Sequence, residues 1–499
     1  MDIDEQRVAR IVAQVIASLP QSETGGALTE KKDASGQAPK HQFIKPYMAT
    51  VEANTDRMVK ASCDGVFSDV NAAITAAKIA QEQLVALSVA EREKIVAVIR
   101  AVSIENVEKI ARIAHEETGY GRVDDKVQKK LYAARLTPGT EDIKVEAKTG
   151  DGGLVLIERA PFGVIASIEP ATHPGSCIIN HAISMIAAGN SIVILPHPKG
   201  LRTAIELVRL YNRGIVAMGG PENLLVVGDK VSLDNFNQII THPDIHMIVA
   251  TGGPDVVHKA LTSGKKAIAA GPGNPPVVVD ETVANIGFAA KCIVDGASFD
   301  NTVLCIAEKE IIAVEAIADE LLFQLEQNGA YLVRDENEKR KIMDFILPDG
   351  EKFAPDLIGK DAALILSGVG ISVADDIRLI VLQVSPDHPL VMKEQLLPVM
   401  PFVRVRDFDA ALSLAVKAEQ GFHHTAVIHS QDVNHITRYA KAIKVDIMVA
   451  NAPSGAGLAI GAEGHFSHTI ASPTGEGICT PRTYTREQRT VIAGSLYTL

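Results

Sequence analysis

From Val164 onward, short apolar runs alternate with helix-like segments, and no other feature of the chain limits its fold so sharply. Val164–Ile168, Ile192–Leu195, Leu224–Val227 and Met247–Ala250 are each followed by a helical pattern. A strand covered on both faces reads as an unbroken apolar run, so the rhythm predicts a parallel sheet flanked by helices. A second series, Val277–Val279, Phe402–Val405, Ala426–His429 and Ile447–Ala450, predicts a second α/β unit in tandem and a cleft between the two. With 499 residues the chain can bury two or three cores.

Ahead of the first series lie helical patterns over Val70–Leu87 and Ala90–Thr118. Asp142–Ala147 and Leu154–Arg159, joined by a turn over Lys148–Gly153, read as a hairpin outside the αβ rhythm. It is either a candidate arm for subunit contact or an ordinary surface hairpin. At the start, Val8, Ile11, Val12, Val15, Ile16 and Leu19 fall on one helical face, with Asp2 and Asp4 at the N-terminal end and Pro20 as the stop. Gln21–Lys40 holds Leu28 as its only large apolar residue and reads as a tether. A helix of this kind either docks on another protein or folds back on its own body.

Composition removes several classes of function. A net charge of −12 offers no broad attraction to nucleic acid or anionic lipid, so neither is an expected partner. The longest apolar stretch, Cys177–Leu195, is broken by Asn180, His181 and Asn190, so no membrane span is expected. Five cysteines without paired spacing suit a reducing cytoplasm, and no metal-ligand pattern is present.

Among the cysteines, Cys305 stands apart. Asp300-Asn301 precede it after a Gly296-Ala297-Ser298 turn, at the opening of the second α/β series, where a residue faces the interdomain cleft. A free thiol, with a pKa of about 8.5, needs local activation to act as a nucleophile. Upstream, Gly271-Pro272-Gly273-Asn274 carries no carboxylate to activate water, which points to release of an acyl group by a thiol. Ala250-Thr251-Gly252-Gly253-Pro254 follows a strand and opens a helix, an arrangement that admits a phosphate.

The ordered set Ile168-Glu169-Pro170-Ala171-Thr172-His173-Pro174, Pro196-His197-Pro198, Ala250–Pro254, Gly271–Asn274, Ser298–Asn301 leading to Cys305, and Glu394–Val399 resembles the CoA-acylating branch of the aldehyde dehydrogenase superfamily. The closing Pro473–Gly477 and Arg482–Arg486 are similar to the propionaldehyde and acetaldehyde dehydrogenases housed in bacterial microcompartments. Their targeting helix and linker match residues 1–19 and 20–41. The resemblance implies an aldehyde dehydrogenase-like α/β fold: an NAD-binding, Rossmann-type domain over 42–274 with a β-hairpin oligomerisation arm at about 142–159, a catalytic α/β domain over 275–470, and a C-terminal oligomerisation segment over 471–499.

It implies Cys305 as the nucleophile, Thr172 beside the Cys305 N–H at the oxyanion, and His424 as a further catalytic candidate. Cofactor contacts fall on Ile168, Pro170, Pro196, His197, Pro198, Thr251, Gly252, Gly253, Gly271, Pro272 and Gly273, with Glu394 at the nicotinamide ribose. Hydrolytic relatives carry a glutamate at the position of Ala270. The acylating branch usually reads Thr-Asn-Pro where this chain has Thr172-His173-Pro174. The expected reaction converts a short-chain aldehyde, propionaldehyde favoured, with NAD and coenzyme A into acyl-CoA and NADH. A homo-oligomer, dimer or tetramer, is expected in a microcompartment lumen, docked through residues 1–19 to a shell or core protein. The rival readings are a hydrolytic or phosphate-dependent aldehyde or semialdehyde dehydrogenase and an inactive microcompartment scaffold.

Overall fold

Val164–Glu169 and Ser191–Pro196 are buried along their whole length, as strands covered on both faces must be. They form the centre of a six-stranded parallel sheet. In the computed structural model, which describes residues 64–496 together with Gln14, its order is Val66–Phe67, Leu225–Gly228, Ser191–Pro196, Val164–Glu169, Met247–Thr251, Lys266–Ala270. The expected helix over 1–19 and linker over 20–41 lie outside the described residues.

A seven-stranded parallel sheet follows, in the order Ala330–Val333, Leu379–Gln383, Val399–Val405, Glu310–Val314, Pro276–Val279, Thr425–His429, Ile447–Ala450. One apolar cluster runs from Ile165 and Ile194 of the first sheet to Val277 and Ile311 of the second. The two sheets therefore share a core.

Four connections end at neighbouring strands of the second sheet. Gly273 precedes Pro276–Val279, Cys305 precedes Glu310–Val314, Glu394 precedes Val399–Val405, and His424 immediately precedes Thr425–His429. These strands are adjacent, so residues far apart in sequence meet along the sheet's amino edge. Opposite them stand the carboxyl ends of the first sheet, where Glu169 pairs with Pro196 and Thr251 with Ala270. The carboxyl edge of an open α/β sheet is where ligands bind.

The hairpin is shifted from its expected register. Its strands are Glu146–Gly150 and Gly153–Pro161, so Lys148 and Thr149 belong to a strand and only Asp151-Gly152 turn. Thr140–Asp142 is a short 3-10 turn. A third strand, Thr485–Ala493, pairs along the whole of Gly153–Pro161. A side chain at Gly153, whose φ is +114°, would come within 2.1 Å of the Ile492 carbonyl oxygen. Ala90–Thr118 is two helices, Val89–Glu105 and Val107–Thr118, which meet at Asn106.

Candidate active site

The segment leading to Cys305 is strained. Gly296–Ser298 closes the helix Ile286–Ser298 instead of forming the expected turn. Asp300, Asn301 and Thr302 then take φ values of 49°, 54° and 66°, a region that costs a residue with a side chain about 1–3 kcal/mol. Three sets of contacts hold them. The fully buried Asp300 carboxylate accepts from the Arg122 N–H at 3.0 Å, from Lys126 Nζ at 3.1 Å and from Lys129 Nζ. Asn301 Nδ2 donates to the Gly359 carbonyl and to Asp361 Oδ1, both at 3.0 Å. Thr302 Oγ1 donates to the Ala297 carbonyl at 2.7 Å.

Lys126, Lys129 and Lys130 lie on one face of the helix Val123–Leu136, and all three are buried. Burial alone would raise the Asp300 carboxyl, but Lys129 and Lys126 outweigh it and keep the group ionised below its ordinary range. Burial, with Lys129 alongside, lowers Lys126 to about 8. Gly121 completes the packing, because a Cβ there would meet Asp300 Oδ1 at 1.7 Å.

Cys305 opens into a cleft of about 610 Å³. Ile168, Pro170, Thr172, Pro196, His197, Pro198, Thr251, Gly252, Gly253, Gly271, Pro272, Cys305 and Glu394 all line it. Its far end, with Val231, Leu233 and Phe236, is apolar and suits a flat base. At the helix Pro254–Leu261, Gly253 has nothing within 4 Å of where a Cβ would stand, while the buried Thr251 Oγ1 has no protein partner. An open approach to a helix N-terminus beside an unused hydroxyl fits a dinucleotide's phosphates.

Gly273 and His424 do not line the cleft. Gly273 passes so close that a Cβ would lie 2.9 Å from His424 Cγ and 3.0 Å from the Cys305 carbonyl oxygen, and its N–H donates to Glu394 Oε1 at 3.4 Å. His424 is buried behind it, with Nδ1 2.9 Å from Thr425 Oγ1. Burial and Lys309 lower its pKa to about 4, so the ring is neutral. Ala270, buried at a strand end, brings no carboxylate over the cysteine.

Cys305 is half-buried, whereas Cys177, Cys292 and Cys479 are buried. Burial and the Glu394 carboxylate push its thiol up to about 12, against the pull of Lys309 and of the Cys305 and Ile306 backbone N–H groups. Without ligands Cys305 is therefore held as a thiol. Burial likewise raises Glu394.

Sequence reading missed Lys309. Its buried ammonium donates to the carbonyls of Thr302 at 2.9 Å, Leu304 at 3.3 Å and Gln395 at 2.7 Å. It thus ties the cysteine loop to the Glu394 loop. The available signal was a charged run, Glu308-Lys309-Glu310, opening an apolar strand. Also missed was a buried polar chain that starts at the cleft wall: Glu169, which lines the cleft, accepts through Oε1 from Ser167 Oγ at 2.7 Å and meets His181 Nδ1 at 2.9 Å, while His181 Nε2 lies 2.6 Å from Thr469 Oγ1.

A model of the aldehyde dehydrogenase family matches residues 40–343. The acetaldehyde dehydrogenase (acetylating) EutE of Escherichia coli is 40% identical over 457 residues, covering 90% of this chain and 97% of that protein. A crystal structure of Rhodopseudomonas palustris propionaldehyde dehydrogenase, with bound CoA and an acylated cysteine, superposes with a TM-score of 0.85 at 45% identity, covering 87% of this chain and 99% of that one. The propionaldehyde dehydrogenase of a Clostridium phytofermentans fucose utilisation microcompartment gives a TM-score of 0.85 at 44% identity, with 87% and 99% covered. The chain belongs to the aldehyde dehydrogenase family.

Glu394 raises the thiol, so neutralising this carboxylate should release Cys305 toward thiolate. In the ligand-free protein, alkylation of Cys305 by iodoacetamide should climb with pH through pH 9 without levelling off. Glu394→Gln should speed it about three- to tenfold at pH 8, in proportion to the thiolate fraction, while lowering dehydrogenase turnover. Peptide mapping after timed alkylation reads the rate, and slower alkylation in the variant would contradict the assignment.

Proposed function

We propose that this protein oxidises a short-chain aldehyde, with propionaldehyde favoured, using NAD and coenzyme A to give acyl-CoA and NADH. The observation that carries this reading is Cys305 on a dinucleotide-shaped cleft, beside a Gly271–Asn274 segment with no carboxylate. The relatives named as acetylating or propionaldehyde dehydrogenases support the same chemistry.

The Cys305 S–H proton passes to solvent water and the sulfur adds to the aldehyde carbon, forming a C–S bond as the C=O π pair moves to oxygen to give an oxyanion. The Cys305 backbone N–H and Thr172, two residues that line the same cleft, are the donors assigned to that charge, and a preorganised donor contributes roughly 3–4 kcal/mol. A dinucleotide held by Glu394, Thr251, Gly252 and Gly253 would supply the acceptor for the hydride of the former aldehyde carbon. Cys305 then carries the acyl group as a thioester. Glu394 serves the nicotinamide ribose, and Thr251, Gly252 and Gly253 serve the phosphates. With no water-activating carboxylate on Gly271–Asn274, attack by the CoA sulfur expels the Cys305 sulfur and completes the cycle.

Among the described residues, no helix is long and apolar enough to cross a membrane, and no group of three or more His, Cys, Asp or Glu side chains could hold a metal ion. Val145, Val491 and Ile492 are exposed on or beside the three-stranded sheet. That apolar surface supports an arm which meets a second copy in a dimer or tetramer. Residues 1–19 are the proposed docking helix for a shell or core protein in a microcompartment lumen.

NADH formation from propionaldehyde should require CoA and vanish in Cys305→Ala. Equal turnover without CoA would establish a hydrolytic enzyme, and dependence on phosphate a phosphorylating one. Removing residues 1–19 should leave kcat/KM and a dimer or tetramer sedimentation coefficient unchanged while the protein no longer co-purifies with compartments. Loss of activity or solubility would instead support a helix packed on its own body, and a monomeric full-length protein would remove the arm.

A further inference from the structure

We propose that the cleft at Cys305 is shaped for a short aldehyde that carries a hydroxyl group, held through the rings of His173 and His468. The proposal rests on the acylating reading above and departs from it in one respect: the favoured aldehyde is a hydroxylated one rather than propionaldehyde. Both rings line the same cleft as Cys305, and each keeps only a few per cent of its surface exposed. They stack with centroids 4.9 Å apart at 29°, and Phe466 closes edge-on against His468, also at 4.9 Å. Contacts on two sides hold the pair in place.

Lys129 ties this pair to the cysteine loop. Its ammonium donates to the Thr172 carbonyl at 3.1 Å and to Asp300, and lies 3.3 Å from His173 Nδ1. An ammonium can only donate, which assigns a lone pair to Nδ1 and the ring proton to Nε2 of His173. His468 Nε2 is buried and has no protein partner. Burial and the neighbouring Lys129 hold both rings well below the ordinary imidazole range, so both are neutral.

An alkyl aldehyde gives such a pair nothing to bind. Its carbons suit Val303, Leu396 and Ile470, which line the same cleft, but a buried imidazole nitrogen without a partner is unfavourable. A hydroxyl group both accepts and donates, and so serves a ring N–H and a ring nitrogen together. A carboxylate or phosphate would call for a free cation, but Lys126 and Lys129 are committed to Asp300, and burial together with those two ammonium groups holds Lys130 well below the ordinary lysine range. Sites built to hydrogen-bond a substrate hydroxyl discriminate strongly against the analogue that lacks it.

The test compares kcat/KM for CoA-dependent NADH formation with propionaldehyde, lactaldehyde and 3-hydroxypropionaldehyde, using the full-length protein. At least one hydroxyaldehyde should exceed propionaldehyde by about tenfold or more. His468→Phe, which keeps the stack and removes the nitrogens, should cut that ratio by about tenfold, and His468→Gln should restore part of it. A native enzyme that prefers propionaldehyde, or a ratio unmoved by His468→Phe, overturns the proposal and leaves the acylating reading standing. A native enzyme inert toward all three aldehydes removes the acylating reading and this proposal with it.

Discussion

The candidate site depends on one buried carboxylate. Asp300 is enclosed with Lys126 and Lys129 and anchors the first of three consecutive left-handed residues, five positions before Cys305. Breaking a buried ion pair by removing one partner costs about 3–5 kcal/mol, the same order as the strain the turn stores. The position of the sulfur is therefore set by a charge cluster that never meets substrate. Lys129 also reaches the Thr172 carbonyl and the His173 ring, so the same ammonium aligns the opposite wall of the cleft.

From that anchor the architecture follows. The carboxyl edge of one parallel sheet supplies the glycine turn and the Pro196–Pro198 loop, while the amino edge of the other supplies Gly273, Cys305 and Glu394. Lys309 joins the last two loops through three backbone carbonyls. Burial and Glu394 keep the sulfur protonated at rest, against the pull of Lys309 and the Cys305 and Ile306 backbone N–H groups. A thiol stored in this way is protected from oxidation and alkylation between turnovers.

The buried Leu379–Gln383 leads into a loop and was not read, whereas Val164–Glu169, Ser191–Pro196 and Met247–Thr251 were legible within a residue or so because each continuous apolar run leads into a helical pattern. Strands with mixed chemistry were not. Thr485–Ala493 is polar and mostly exposed, with no alternation to mark it, and Glu310–Val314 is masked by the charges ahead of it. Most cleft residues were legible through ordered motifs. Lys126, Lys129 and Lys130 were not, because lysines spaced at three and four residues resemble a solvated helix face; only the fold brings Asp300 to them. His173 was visible as a departure from Thr-Asn-Pro, but its partner His468 lies almost three hundred residues further along and could be paired with it only in space.

The central claim is that Cys305 carries the acyl group and passes it to another sulfur. It is tested most directly by mass spectrometry of protein incubated with propionaldehyde and NAD, before and after addition of CoA. The account predicts a propionyl adduct on the Cys305 peptide alone, lost when CoA is added, with propionyl-CoA formed in equal amount. An adduct on another residue, or one released equally fast by water without CoA, would contradict it.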